Sequence, residues 1–175
     1  MERQNQPQRV VHPFPPLFDE TSRILILGSF PSVKSREQNF FYGHPQNRFW
    51  KLMAALFETD VPSTIPEKKE LILSHHLALW DVIARCTITG SSDASIRDVK
   101  ANDLRVILEH CPVEKIICNG QKAYSLYQKY IFPEIGKEAL CLPSTSPANA
   151  QWSLEKLKTA WSDMLLEDEN LGAAR

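Results

Sequence analysis

The sequence predicts an α/β fold: a three-layer α/β/α sandwich around a central four-stranded, mainly parallel sheet. Three observations predict it. Four short apolar segments, "RILILG", "LALWDVI", "EKIICNG" and "KEALCL", each run into turn residues or a polar loop. Stretches with apolar residues at helical spacing lie between them. Strands that alternate with helices build a parallel sheet covered on both faces. Finally, a chain of 175 residues is long enough for one domain with a proper core and short for two.

The elements follow in order. Residues 1–22 read as an arm, in which "HPFPPLF" is held extended by its prolines and carries two Phe to pack on the domain. Residues 23–168 form the single expected domain, and residues 169–175 a polar tail. "RILILG" is a continuous apolar run ended by Gly28, as expected of a strand with both faces covered. A long loop leads to "NRFWKLMAALF", which sets Phe49, Trp50, Met53, Leu56 and Phe57 at helical spacing. "PEKKELILSHH" has a proline and Glu67 in its first turn, both helix-start signals. "LALWDVI" is the second strand, and "ARCTITGSSDASIRD" a second long polar loop. "KANDLRVILEHCP" reads as a helix with Asn102 as cap and Pro112 as stop. "EKIICNG" is the third strand and "QKAYSLYQKYIF" its helix. "KEALCL" is the fourth strand and runs into "PSTSPAN", a third polar loop. "SLEKLKTAWSDMLLE" is the last helix, capped by Ser153.

Composition excludes several classes. No run approaches the roughly 20 apolar residues of a membrane span, and "MERQNQPQRVVHPFPP" has no signal-peptide core; a cytoplasmic protein is expected. The net charge of −1 gives no global pull toward nucleic acid but leaves room for a few local phosphate contacts. Cys86, Cys111, Cys118 and Cys141 form no CxxC pair, so structural zinc and iron–sulfur clusters are not indicated. His75 and His76 are adjacent on a helix and do not face the same way, so they make no metal pair. "GSFPS" matches neither GxGxxG nor GxxxxGK[ST], which argues against a nucleotide cofactor. Ser29, His44 and Asp81 lack a G-x-S-x-G elbow, which argues against a serine hydrolase.

In doubly covered parallel sheets, ligands bind at the carboxyl ends of the strands. The three long polar loops follow strands one, two and four, so they are expected to meet at one cleft. The first loop mixes Phe30, Phe40, Phe41 and Tyr42 with Gln38, Asn39, Gln46 and Asn47. Rings that stack and amides that read an edge suit a planar heterocycle. The third loop holds Ser144, Thr145 and Ser146 between Pro143 and Pro147. A stiff hydroxyl-rich turn of this kind can grip a phosphate, or can be an ordinary Ser/Thr turn.

"ILGSFPS" followed by "GHPQNRFWKLM" resembles the first motif region of the uracil-DNA glycosylase superfamily. In the mismatch-specific branch the loop reads G-x-N-P-G and then H-P-x-N-R-F-W. "ICNGQKA" and "LPSTSPAN" fall where that superfamily has a later strand and its second motif. The similarity runs from about Arg23 to Trp161. It departs at the catalytic Asn of that branch, whose place Phe30 takes. This departure, with "SREQNFFYGHPQNRFW", resembles the hypoxanthine-DNA (deoxyinosine) glycosylase family.

That resemblance implies a monofunctional base-excision repair enzyme without cofactor or metal, acting on DNA with a deaminated base and expected as a monomer. It implies that Asn39 takes over as the catalytic residue. Gly28, Ser29, Phe30, Phe41 and Asn119 are then the expected base-binding residues, and Ser144, Thr145, Ser146 and Asn149 the expected DNA-binding residues. Asn47, Arg48 and His44 are given structural roles, Asn47 as a helix cap. Asp81 and Asp93 are expected to hold loops. Two alternatives stay open: a uracil or G·T/G·U mismatch glycosylase, and a non-catalytic nucleic-acid-binding module.

Overall fold

The computed structural model describes residues 6–166; the polar tail expected over 169–175 and the first five residues of the expected arm lie outside the described residues. Four strands form one sheet in the order β3-β2-β6-β7. These are β2 (Ile24–Gly28), β3 (Leu77–Asp81), β6 (Lys115–Asn119) and β7 (Ala139–Leu142). Every pairing in this sheet is parallel. All five residues of β2 and of β3 are buried, which is why both segments read as unbroken apolar runs.

Helices flank this sheet. The loop after β2 carries a short helix α1 (Val33–Gln38), capped by Ser32. Helix α2 (Phe49–Leu56) buries Phe49, Trp50, Leu52, Met53, Ala54 and Leu56. Helix α3 (Ile65–Ser74) is capped by Thr64, whose side chain accepts from Glu67 N while its hydroxyl donates to the Glu67 carboxylate at 3.0 Å. Helix α5 (Gln121–Tyr130) follows β6, and a turn of helix α6 (Phe132–Ile135) leads to β7. The last helix, α7 (Leu154–Leu165), has Ser153 as its cap, as its sequence predicts. Trp161 of α7 is fully buried and donates from Nε1 to Pro143 O at 2.9 Å, pinning the start of the loop after β7.

Two expectations are corrected. The stretch 84–98 is not one polar loop. It contains strand β4 (Ile83–Thr89), a 3-10 turn at Asp93–Ser95 and the start of β5 (Arg97–Ala101). β4 and β5 pair antiparallel, and strand β1 (Pro7–Val11) adds to the other side of β4. β4 buries Ile83, Cys86 and Ile88 and turns Arg85 outward, a half-buried strand pattern. The helix expected over "KANDLRVILEHCP" shrinks to α4 (Arg105–Leu108). Asn102 does not cap it; its Nδ2 donates to Asp81 O at 2.8 Å and Ile83 O at 3.2 Å, tying β5 to the end of β3.

The segment read as an arm is woven into the fold from Pro7 onward. Besides β1, it places Phe14 and Leu17 in the core, and Leu17 bridges antiparallel to Leu79. No helix among the described residues is long and apolar enough to cross a membrane.

Candidate active site

The carboxyl ends of β2, β3 and β6 open into a cleft of about 290 Å³. It is closed by the loop after β2, the β4–β5 turn and the loop after β7. The loops are tied to one another. Val33 N donates to Ser91 Oγ at 2.9 Å and Arg36 Nη2 to Gly90 O at 3.0 Å, joining α1 to the β4–β5 turn. Ser35 Oγ accepts from Gly43 N at 2.8 Å, which folds the aromatic stretch back over α1.

The floor is made by Gly28, Tyr42 and Asp81. A Cβ at Gly28 would lie 2.5 Å from Asp81 Oδ1 and 3.3 Å from the Tyr42 hydroxyl, so only glycine lets both polar groups approach the end of β2. Tyr42 stacks on Phe49, with ring centroids 4.1 Å apart. Its hydroxyl is buried and makes no well-formed hydrogen bond among the described residues, although the Asn119 side chain lies near enough to oppose the rise in its pKa. Burial, reinforced by the nearby Asp81 carboxylate, pushes this phenol well above the usual tyrosine range, so it stays a neutral donor. Asp81 Oδ2 is bonded to His12 Nε2 at 2.7 Å, with both side chains almost fully buried. Phe30 and Phe41 form the aromatic wall. The Arg36 guanidinium sits 5.6 Å from the Phe30 ring centroid.

A hydrogen-bonded chain of amides and hydroxyls crosses from β6 to α2. Asn119 Nδ2 donates to Thr145 Oγ1 at 3.0 Å, and Thr145 N returns a bond to Asn119 Oδ1 at 3.0 Å. Thr145 Oγ1 donates to Asn47 Oδ1 at 2.8 Å, and Phe49 N donates to the same oxygen at 2.9 Å. Both bonds to Asn47 use its oxygen, and the residue lines the cleft. Arg48 clamps the loop after β7 through Nη2, donating to Ser146 O at 2.9 Å and Asn149 O at 3.0 Å. Arg48→Lys loses this planar fork. It is expected to lower stability by about 1.5–3 kcal/mol, read as a drop in melting temperature, and to weaken DNA binding more than it slows the chemical step.

At the rim, Ser29 Oγ donates to Asp93 Oδ1 at 2.9 Å. Asp93 is open to solvent, yet the protein packed around it raises its pKa against the opposing bond from Ser29. No cysteine lines this cleft. Burial raises the Cys86 thiol to about 11 and the Cys118 thiol to about 12, so both are protonated, inert core groups. No group of three or more metal-ligating side chains occurs among the described residues.

Of the residues expected from sequence, Gly28, Ser29, Phe30, Phe41, Asn119, Ser144, Thr145 and Ser146 line the cleft. Thr145 is fully buried, however, and is bonded on three sides by protein groups. It braces the loop rather than facing a phosphate. Asn149 lies in an adjoining groove and donates from Nδ2 to Ser144 O at 3.0 Å. Asn39 does not line the cleft. It ends α1 in the left-handed conformation, with φ 56°, and its side chain is exposed. Two groups were not expected there, Asp81 and, behind it, His12; Tyr42 and Asn47 were expected in the cleft loop, but not among the base-binding residues. Asp81 ends a strand of the parallel sheet, the place where such folds put ligand groups. His12 carries no comparable signal.

Comparisons with known proteins place the chain in a family. The profile of the Uracil DNA glycosylase superfamily matches residues 15–165. A "Hypoxanthine DNA glycosylase" of Methanosarcina acetivorans is 38% identical over 142 residues, covering 80% of this chain and 89% of the relative. One of Methanosarcina barkeri is 32% identical over 151 residues, covering 86% and 94%. The solution NMR structure of a candidate uracil DNA glycosylase from Methanosarcina acetivorans superposes with a TM-score of 0.71 at 32% identity, covering 85% of this chain and 94% of that one. The chain belongs to the uracil DNA glycosylase superfamily.

Proposed function

We propose that this protein is a monofunctional DNA glycosylase that excises hypoxanthine from deoxyinosine in DNA by hydrolysing the N-glycosidic bond. It would act as a cytoplasmic monomer without a cofactor. The relatives that carry the hypoxanthine glycosylase name support the base. The observation that supports the chemistry is the cleft itself, which Tyr42, Asn47 and the Phe30 ring line together. A heterocycle stacked against the ring can accept from the Tyr42 hydroxyl and the Asn47 amide.

A glycosidic bond inside a duplex is out of reach, so the nucleotide must be extruded into the cleft. Ser144 and Ser146 stand at its rim, where they can meet the flanking phosphates. The bond then breaks toward an oxocarbenium-like sugar, and negative charge grows on the base. Donors already fixed at that position stabilise the charge without reorganising. The Tyr42 hydroxyl and the Asn47 amide fill that role in this reading. Phe30, which replaces the amide of the mismatch-specific branch, presents a stacking face where that branch presents a polar group.

Duplexes carrying one hypoxanthine, uracil, xanthine or G·T mismatch, treated with hot alkali after incubation, test the assignment. Strand breaks only at hypoxanthine are expected. Breaks mainly at uracil would transfer the assignment to the uracil-excising alternative, and no breaks at any lesion would favour a binding module. Asn39 also separates the readings. Asn39→Gly preserves the left-handed turn and is expected to leave the excision rate within about threefold of the parent, because the side chain lies outside the cleft. A loss of orders of magnitude would return the catalytic role to Asn39.

A further inference from the structure

Asp81 is a carboxylate at 4% exposure with one charged or polar side chain bonded to it. Burying such a group is expensive, and apolar replacement of buried ionic pairs is often neutral or stabilising. The pair is therefore poorly explained as a stabilising device, and its placement is specific. Asp81 Oδ2 is taken by His12, while Oδ1 lies against Gly28 at the cleft floor. The backbone is held as well, since Asn102 Nδ2 donates to Asp81 O.

His12 is aimed by an entire sheet. β1 pairs with β4 along its length, and His12 N donates to Ala84 O at 2.8 Å, three residues beyond Asp81. Around the imidazole, Phe14 lies at 4.5 Å, Phe30 at 6.0 Å and Phe41 at 6.3 Å between ring centroids. Its Nδ1 is buried without a partner. A bare ring nitrogen among phenylalanines costs less than an unpaired N–H. The 2.7 Å contact with the carboxylate calls for a ring proton on Nε2, donating to Asp81.

We infer that Asp81 is the catalytic carboxylate that holds and deprotonates the attacking water, and that His12, the residue just after the amino-terminal strand, is its positioning residue. This rests on the glycosylase reading above. The water oxygen forms the bond to C1′ and its proton passes to Asp81 Oδ1. The bond from C1′ to the base nitrogen breaks, its electron pair leaving with the base. The base takes up a proton from solvent, and Asp81 returns its own to solvent. One water and one nucleotide thus give an abasic site and a free base. His12 fixes the carboxylate's rotation so that Oδ1 faces the cleft, which couples catalysis to the docking of β1.

The test uses the full chain and single-turnover excision from a hypoxanthine duplex, with duplex affinity and melting temperature measured on each variant. Asp81→Asn, nearly isosteric, is expected to slow excision by at least about 100-fold with affinity unchanged. His12→Leu removes the donor and is expected to slow it comparably, with the double variant no slower than the worse single one. His12→Gln, whose amide nitrogen can take the place of Nε2, is expected to recover most of the rate. Asp81→Asn within about threefold of the parent would overturn the catalytic role. Equal rates for His12→Leu and His12→Gln would overturn the positioning role. Should His12→Leu melt below the assay temperature, the comparison of His12→Gln with the parent decides: a folded variant without activity overturns the assigned donor role. Failure of the parent itself to release hypoxanthine would instead sink the underlying substrate reading.

Discussion

Gly28→Ala is expected to abolish measurable excision while leaving a folded protein. The new methyl would sit 2.5 Å from Asp81 Oδ1 and 3.3 Å from the Tyr42 hydroxyl. Neither neighbour can step aside freely. Asp81 is held through Oδ2 by His12 and Tyr42 by its stack on Phe49. Overpacking of this kind costs about 1–3 kcal/mol, which a fold whose central strands β2 and β3 are fully buried should survive with a lowered melting temperature. Displacement of the floor by about 1 Å is enough to cost on the order of 100-fold in rate, and the methyl also occupies the space a base edge would use. Retention of the parental rate would mean that the reacting nucleotide does not approach the end of β2.

The second large effect is expected at Asn47. Asn47→Asp keeps the oxygen that accepts from Phe49 N and Thr145 Oγ1, so the start of α2 and the loop after β7 should persist. It replaces the amide nitrogen with a second acceptor. Losing one preorganised donor costs about 100- to 1,000-fold, and a negative charge beside a departing anionic base adds to the loss. Excision should therefore fall by at least about 100-fold while the melting temperature changes little. A large melting change with an unaltered rate constant would show that Asn47 only braces the turn before α2.

The parallel sheet was legible because β2, β3 and β6 are buried along nearly their whole length and so read as unbroken apolar runs. The convergence of loops at one cleft followed from that topology. The second sheet was not legible. β4 alternates in burial only over Cys86–Thr89, beyond a register shift between Ile83 and Arg85, and its partner β1 belongs to a polar, proline-containing stretch nearly eighty residues earlier in the chain. Pairing at such separation leaves no local trace.

The site divides the same way. Residues at strand ends, such as Gly28 and Asn119, announced themselves by position. The bond between His12 and Asp81 spans 69 residues of sequence and has no local signal. Asn47 was expected as a helix cap, whereas Arg48 is the N-cap of α2 and Asn47 Oδ1 accepts from Phe49 N in the turn before it. Asn39 adjoins the aromatic residues in sequence, whereas the left-handed turn that it adopts leaves its side chain outside the cleft lining.

The most direct measurement is to incubate the protein with a hypoxanthine duplex in ¹⁸O-labelled water and to quantify free base and abasic sites together. Equimolar hypoxanthine and intact abasic strands, with one labelled oxygen at C1′ of each, is the expected result. Release of no hypoxanthine, or strand scission without the labelled abasic product, would contradict hydrolytic base excision at this cleft.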